Sequence, residues 1–387
     1  MFNSNINNYK RFDRSNLNFL QKWWLDVDKI NFFFVIFMVA FGAIMIISSS
    51  PSVAERIDVD KFTFIRKQLI FAAVAIIILV AISFLNLKEI KLLAIIGMFV
   101  SLLLMVYLLI FGFEAKGSKR WISIFGFTLQ PSEFAKTFFV VTNAYILYSF
   151  SQKRFLFNYV ASIALLIAVV ALLILQPDFG MTMIFALLWS LQLFLFGLPM
   201  LLVFIIGFLA LCGGALAYIK FPHVQDRINR FLDLDGKNYQ ADMSIDAYIN
   251  GSFFGVGPGA GVVKTHIPDA HTDFIFAVIA EEFGVLSCIA ILLIILFIFG
   301  RVVKKASKEN NMFRHLALCG LIMQFILQVT INIGVTLRLL PTKGMTLPFI
   351  SYGGSSILSM AICFGLILAL TKKKYHDNID YGNTRMI

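Results

Sequence analysis

"PDAHTDFIFAVIAEEFG", residues 268–284, opens a stretch that otherwise reads as a membrane helix running to about position 299. It nevertheless begins at Asp273 and carries Glu281 and Glu282. An ionised carboxylate in hydrocarbon costs several kcal/mol, so such a group faces a polar cavity or the bundle interior and has a partner. If the helix starts near Asp273, then Asp273, Ala277, Ala280 and Gly284 fall within ~40° of one another at 100° per residue. That stripe of small residues would let another helix approach closely, with Asp273 at its outer end. Glu281 would lie ~12 Å deeper and flank the same seam. Glu282 points the other way, which predicts a separate partner such as Lys136 or Arg338.

Composition sets the medium. Of 387 residues, 59% are hydrophobic, 14% are charged and 42 are Phe, and the mean hydropathy is +0.84. A soluble domain is about half apolar and about a quarter charged, so this is a polytopic membrane protein. About 20 apolar residues cross a bilayer core. On that measure ten spans are predicted, near 30–50, 67–85, 90–111, 132–150, 155–175, 180–197, 199–219, 271–299, 314–337 and 353–371. The expected fold is therefore all-α, with about ten transmembrane helices and both termini on one side.

Lysine and arginine say which side. Lys10, Arg11, Arg14, Lys22 and Lys29 precede the first span. Arg301, Lys304, Lys305, Lys308 and Arg314 lie between the eighth and ninth, and Lys372, Lys373 and Lys374 follow the tenth. The positive-inside rule puts both termini in the cytoplasm. The chain then divides into a cytoplasmic tail (1–29), a membrane domain (30–372) and a cytoplasmic C-terminal tail (373–387). A large outer loop, about 220–270, joins helices 7 and 8. The net charge of +11 lies largely in loops, so orientation accounts for it and no nucleic-acid partner is implied. No cleavable signal peptide is evident, because the first apolar run is long enough to remain as an anchor. Cys212, Cys288, Cys319 and Cys363 all fall in apolar runs without CxxC spacing and read as small apolar residues. His266 and His271 form a close pair with no further Cys or His nearby, which is not a zinc pattern.

Three further polar constellations fall on the expected outer side. In "GSKRWISIFGFTLQPSEFAK", 117–136, alternation about Gly126 suits a short interfacial hairpin. Lys119, Arg120 and Trp121 there suit a surface anchor, and equally a sugar-stacking platform beside a phosphate clamp. Glu133 falls in the first turn of the next helix with Lys136 three residues on, which predicts a local ion pair. In the large loop, Arg227 and Arg230 sit on a short amphipathic piece. The glycines of "GVGPGAG", 255–261, lack a preceding strand and a following Lys-Ser/Thr, so they suggest a flexible lid rather than a nucleotide loop. In "LRLLPTKGMTLPFISYGGSS", 337–356, Pro341 and Pro348 interrupt an apolar stretch around Lys343 and Ser351. Such backbone is tolerated only where it is buried in protein or lines a cavity. Lys343 and Arg338 are then candidates to pair with Asp273, a glutamate or an anionic substrate.

An outer cavity with carboxylates, cations, a Trp and hydroxyl-rich broken helices suits a lipid-linked anionic substrate. Its tail stays in the bilayer while phosphates and sugars enter the cavity. These features do not by themselves separate a transferase from a flippase for such a lipid, or from a solute transporter, although no internal repeat of the transporter kind is visible. The inner half reads as dry, which disfavours the flippase.

"PDAHTDFIFAVIAEEFG", "LLPTKGMTLPFISYGGSS" and "KRWI…QPSE" together resemble the SEDS family (shape, elongation, division and sporulation), its division branch more than its elongation branch. The resemblance covers about 30–372 and departs only mildly, with Asp269 where many members have Glu. It implies a ten-helix peptidoglycan glycosyltransferase that polymerises lipid II outside the cytoplasmic membrane at the division septum. Its implied partners are a cognate class B penicillin-binding protein (a single-pass transpeptidase) and other divisome membrane proteins. The family's key acidic residue matches Asp273, its first-loop Trp matches Trp121, and its paired glutamates match Glu281 and Glu282. On this reading Asp273 is the general base, directly or by holding a divalent cation (Mg or Mn), with no tightly bound cofactor. Lys343, Arg120 and Arg227, with Lys119, Trp121 and Ser351, would bind substrate. Glu281, Glu282, Glu133, Lys136 and Arg338 would form cavity ion pairs. A lipid II flippase and a non-enzymatic divisome scaffold are the alternatives.

Overall fold

Ten long helices overlie the ten predicted stretches. They appear in a computed structural model that describes residues 17–115, 118–124, 126–149, 155–232 and 239–372. A short helix α1 (Phe19–Asp26) precedes α2 (Lys29–Arg56), α3 (Thr63–Ser83), α4 (Leu87–Phe111), α5 (Pro131–Ser149), α6 (Phe155–Leu175), α7 (Phe179–Phe196) and α8 (Met200–Lys220). After α9 (Pro222–Leu232) and α10 (Tyr239–Gly251) come α11 (Ile275–Ala306), α12 (Met312–Thr336) and α13 (Gly354–Leu370). Seven of the described helices are long and apolar enough to cross a membrane.

Local chemistry sets the boundaries. Asp28, Asp178 and Asn311 each accept a backbone N–H at the start of α2, α7 and α12, and Asn86 with Glu89 forms a capping box on α4. The "GLP" separation of α7 from α8 is a true break, because Gly197 ends α7 in the left-handed conformation.

Burial sorts the helices into an inner and an outer set. α5, α12 and α13 are buried along most of their length, with α13 packed on α3 and α5, and α5 packed on α4 and α12. α5 tolerates Glu133, Lys136, Thr142 and Asn143 because it faces protein rather than lipid. α3 and α4 instead turn Leu69, Ile77, Phe99 and Leu103 outward, as lipid-facing helices should. A polar network ties the interior together: Trp189 donates to Ser162, Ser162 to Asn143, and Asn143 to Gln192. All four lie on buried surfaces, where interhelical hydrogen bonds replace absent water.

The first outer loop forms a three-stranded antiparallel sheet, β1 (Phe113–Ala115), β2 (Ser118–Ile124) and β3 (Phe127–Leu129). The β2–β3 hairpin turns about Gly126, as the alternation predicts, and Ile122 pairs with Leu129. Lys67 donates to the Gly126 carbonyl at 2.9 Å and Gln130 N donates to Ser355 at 2.8 Å, which docks the hairpin on α3 and the start of α13.

Two expectations are corrected in α11. The helix starts at Ile275, so Asp273 lies in the preceding turn and not on the helix. The helix also does not run unbroken, because Gly284 takes φ 79°, ψ 169°, which only glycine adopts without strain. The small-residue seam is thereby cut, and α10 fills what remains of it: a Cβ at Gly251 would lie 1.9 Å from the Ala280 carbonyl oxygen. The glycine-rich stretch after α10 is not a lid. Val256 N and Gly257 N donate to the Glu281 and Glu282 carbonyls, and Val285 N and Leu286 N donate to the Ser252 and Phe253 carbonyls. The inserted loop thus satisfies the backbone groups that the break releases, as a membrane interior demands.

Candidate functional site

Four hydrogen bonds fasten the turn before α11 to the segment between α12 and α13. Tyr352 N donates to the His271 carbonyl at 2.8 Å, and Ser351 Oγ donates to the Thr272 carbonyl at 2.6 Å. Asn332 Nδ2 on α12 donates to the carbonyls of both Asp273 (2.8 Å) and Met345 (2.6 Å). Ser351 also accepts from Leu347 N at 2.7 Å, which folds the Pro348 corner onto itself. The Asp273 carboxylate ends up against Gly344, where a Cβ would stand 3.3 Å from Oδ2. Asp273 is half-buried, and its neighbour across the contact is the residue after Lys343.

Lys343 points from this junction towards α7. Its methylenes fill the space that Gly180 leaves open, since a Cβ there would sit 2.0 Å from Cε, and its Nζ reaches Met345 Sδ at 3.2 Å. Burial pushes the Lys343 amine down to about 7, against the opposing pull of Asp178 and Glu133. Asp178 caps α7 and stands 3.6 Å from the Arg120 guanidinium. Arg120 also donates to the Gln176 carbonyl at 3.1 Å and to the Pro177 carbonyl. It therefore brackets the corner ahead of α7. Trp121, its neighbour on β2, stands opposite Phe113 and is half-buried, as is Lys119.

Below Lys343 the floor is a polar stripe on α12. Gln324, Gln328, Asn332 and Thr336 recur every four residues and are all buried. Gln328 accepts from Lys136 Nζ at 3.1 Å and donates to Ser356 at 2.9 Å and the Thr346 carbonyl at 3.1 Å. Lys136 is fully buried and pairs with Glu133 at 3.0 Å, the local pair that their spacing predicts.

The other ion-pair expectations are corrected. Glu282 does not meet Lys136 or Arg338; it accepts from Lys264 Nζ and from Ser48 on α2. Arg338 pairs instead with Asp242 on α10. Glu281 does not flank an open seam; it accepts from Asn250 Nδ2 (2.9 Å), Val263 N (2.7 Å) and Lys264 N (2.8 Å). Both glutamates are thus consumed in binding the outer loop to α2 and α11. Arg227 falls on α9, but its side chain lies outside what the structure describes. Sequence reading missed Asp178, Lys264, Ser48, Gln328 and Asn332, although the four-residue rhythm on α12 was there to be read.

His271 packs between Phe64 (4.6 Å) and Tyr352 (5.2 Å), and burial pushes its imidazole down to about 4. Among the described residues no group of three or more His, Cys, Asp and Glu side chains gathers to hold a metal.

At the opposite end, Asp28 is fully buried between Arg301 (2.9 Å) and Lys305 (2.7 Å). A cavity of about 690 Å³ opens there, lined by these residues with Lys29, Lys308 and Lys372 among others.

Residues 28–376 match the family described as "Cell cycle protein" (FTSW_RODA_SPOVE). The "Probable peptidoglycan glycosyltransferase FtsW" of Caulobacter vibrioides is 35% identical over 365 residues, 94% of each chain. The protein of the same name from Saccharophagus degradans is 34% identical over 88% of this chain and 92% of its own. A structure described as showing "structural coordination of polymerization and crosslinking by a peptidoglycan synthase complex" superposes with a TM-score of 0.75. It is 27% identical, over 90% of this chain and 98% of that one. The rod shape determining protein RodA of Thermus thermophilus superposes with a TM-score of 0.66 at 25% identity, over 90% of this chain and 97% of its own. With nine-tenths of its length matched in sequence and in backbone, the chain belongs to the SEDS family of polytopic membrane proteins.

Proposed function

We propose that this chain is a peptidoglycan glycosyltransferase that polymerises lipid II at the outer face of the cytoplasmic membrane, in the septal wall. The observation that carries the reading is the junction that holds Asp273 against Gly344, one residue from Lys343. The names of the curated relatives point the same way. In the reaction the 4-hydroxyl of one sugar attacks C1 of another with inversion. Asp273 takes the hydroxyl proton, the new C1–O bond forms, and the bond to undecaprenyl diphosphate breaks with its electrons left on the diphosphate. A positioned base contributes about 10²–10⁴-fold to such a step.

The leaving diphosphate needs cationic stabilisation. Lys343 is the first candidate, because it is the neighbour of Gly344, against which Asp273 lies, and a dianion beside it would hold its amine protonated. Arg120 and Lys119 on β2 are further candidates, and Trp121 orders the hairpin or stacks on a sugar. A divalent cation at Asp273 would have to draw its remaining ligands from the substrate diphosphate, and no step here runs through one. A single-pass class B transpeptidase is the partner we propose, in line with the synthase complex that the backbone resembles.

The test is lipid II polymerisation by the purified protein with that transpeptidase, wild type beside Asp273→Asn. Glycan strands from the wild type alone are expected. Headgroup movement across liposomes without strands from either protein would make the chain a flippase instead. Equal strand synthesis by a well-folded variant would remove Asp273 from the chemistry.

A further inference from the structure

The end of the bundle opposite Asp273 carries a feature that glycan polymerisation does not use. The cavity of about 690 Å³ there is walled by residues 25–30, by the α11–α12 connection, by Leu318 of α12 and by the end of α13. Five cations line it: Lys29, Arg301, Lys305, Lys308 and Lys372. Three acidic residues, Asp26, Asp28 and Glu309, share the lining, and one of them is already committed elsewhere, because Glu309 pairs with Arg314 at 3.5 Å. Asp28 is saturated too, taking three hydrogen bonds from Arg301 and an ion pair with Lys305. Its geometry fixes Arg301 through Nε and one terminal nitrogen, so the other edge of the guanidinium faces away from Asp28. With five cations against three acidic residues, the cavity lining carries an excess of positive charge.

The second observation concerns depth. Residues 25–30 continue directly from α1, whose Phe19 and Leu20 are 68% and 65% exposed. Trp23 is anchored by a 2.8 Å hydrogen bond to Ser83 and stacks near Phe84, and Lys29 lies 5.0 Å from the Trp24 ring centroid. Exposed apolar side chains beside two tryptophans and a lysine are the pattern of a helix lying at the headgroup level of a bilayer. The cavity mouth thus opens where lipid headgroups are, on the side that the positive-inside rule assigns to the cytoplasm. Basic pockets between helices at that depth hold anionic headgroups.

We propose that this cavity is a binding site for the phosphodiester headgroup of an anionic phospholipid from the inner leaflet. The phosphate sits against Lys29, Lys308 and the free edge of Arg301, and the acyl chains run along the exposed apolar surface beside α1. Lys29 and Lys308 are the residues to change, because neither is part of the Asp28 clamp that holds α2 to α11.

The test uses the full chain in nanodiscs of phosphatidylcholine with phosphatidylglycerol as the minor component, read by native mass spectrometry and by thermal melting. Wild type is expected to retain phosphatidylglycerol and to melt higher in its presence than in phosphatidylcholine alone. Lys29→Gln with Lys308→Gln is expected to lower retention about fivefold per lysine and to lose the lipid-dependent rise in Tm. Equal retention by wild type and the double variant, at equal Tm in pure phosphatidylcholine, overturns the site. A further arm titrates inorganic phosphate without anionic lipid; stabilisation by phosphate but not by phosphatidylglycerol overturns the lipid assignment.

Discussion

Asp273 and the Glu281–Glu282 pair sit eight residues apart in one segment, and the structure treats them in opposite ways. The glutamates are fully buried and engaged, Glu281 by two backbone N–H groups and Asn250, Glu282 through Oε1 by Lys264 and Ser48 while its Oε2 is left without a hydrogen bond. Asp273 is half-buried in the turn before α11, and its backbone carbonyl accepts the bond from Asn332. A fully buried carboxylate that receives donors from a loop and a helix holds structure together, whereas a half-buried one in a turn stays within reach of solvent and substrate. Hydropathy alone cannot make that distinction, because all three are equally out of place in an apolar stretch.

The difference can be broken experimentally from either side. Asp273→Asn should lower polymerisation by up to about 10⁴-fold with little change in melting temperature, measured as strand length and rate on lipid II. Glu282→Gln should do the reverse. It leaves the Lys264 ammonium buried without its counter-charge, and breaking such a pair costs about 3–5 kcal/mol. A large drop in Tm with residual specific activity near wild type in the folded fraction is expected. If Glu282→Gln instead melted normally and lost activity, the division of labour between Asp273 and the two glutamates would be wrong.

What the sequence reveals follows from the range over which each feature is encoded. The spans are local, so apolar runs of about 20 residues found all ten long helices, including the boundary at Gly197. The Glu133–Lys136 pair is local too, and its three-residue spacing is enough. Lys264 and Ser48 are not local to Glu282: the serine is 234 positions away, and nothing in either neighbourhood names the other. The break at Gly284 is equally silent, since an isolated glycine in an apolar helix is ordinarily tolerated. Only the inserted loop 252–257, supplying donors and acceptors to the open ends, makes the break stable. The stripe Gln324, Gln328, Asn332, Thr336 was legible by its rhythm, and it marks the face of α12 that supports the site.

Lys343 tests the electrostatic side of the same contrast. Its amine lies near 7 in the unliganded protein because burial disfavours its charge, and it must be charged to hold a diphosphate. Above about pH 7 the free enzyme loses that cation, so kcat/KM should fall roughly tenfold per pH unit until another step limits. At saturating lipid II the limb should move to higher pH, because the bound dianion favours the ammonium. Lys343→Arg should abolish the limb, and Lys343→Ala should lose about 10²–10³-fold across the range. A limb that persists in Lys343→Arg would assign the titration to another group.

Gly344→Ala gives the smallest and most local effect. The residue has φ 75°, a conformation that costs alanine about 1 kcal/mol or slightly more, and its new Cβ would stand 3.3 Å from Asp273 Oδ2. The contact is tight but not forbidden, so the carboxylate should shift by tenths of an ångström while the fold survives. Misplacement of a base on that scale should lower kcat several-fold, with KM for lipid II little changed, because Lys343 and the hairpin still hold the substrate. The same substitution at Gly259, at φ 78° with nothing within 4 Å of the new Cβ, carries a comparable backbone cost but no contact with a reacting group. If both variants lose stability equally and only Gly344→Ala loses kcat, the loss belongs to the placement of Asp273 rather than to backbone strain.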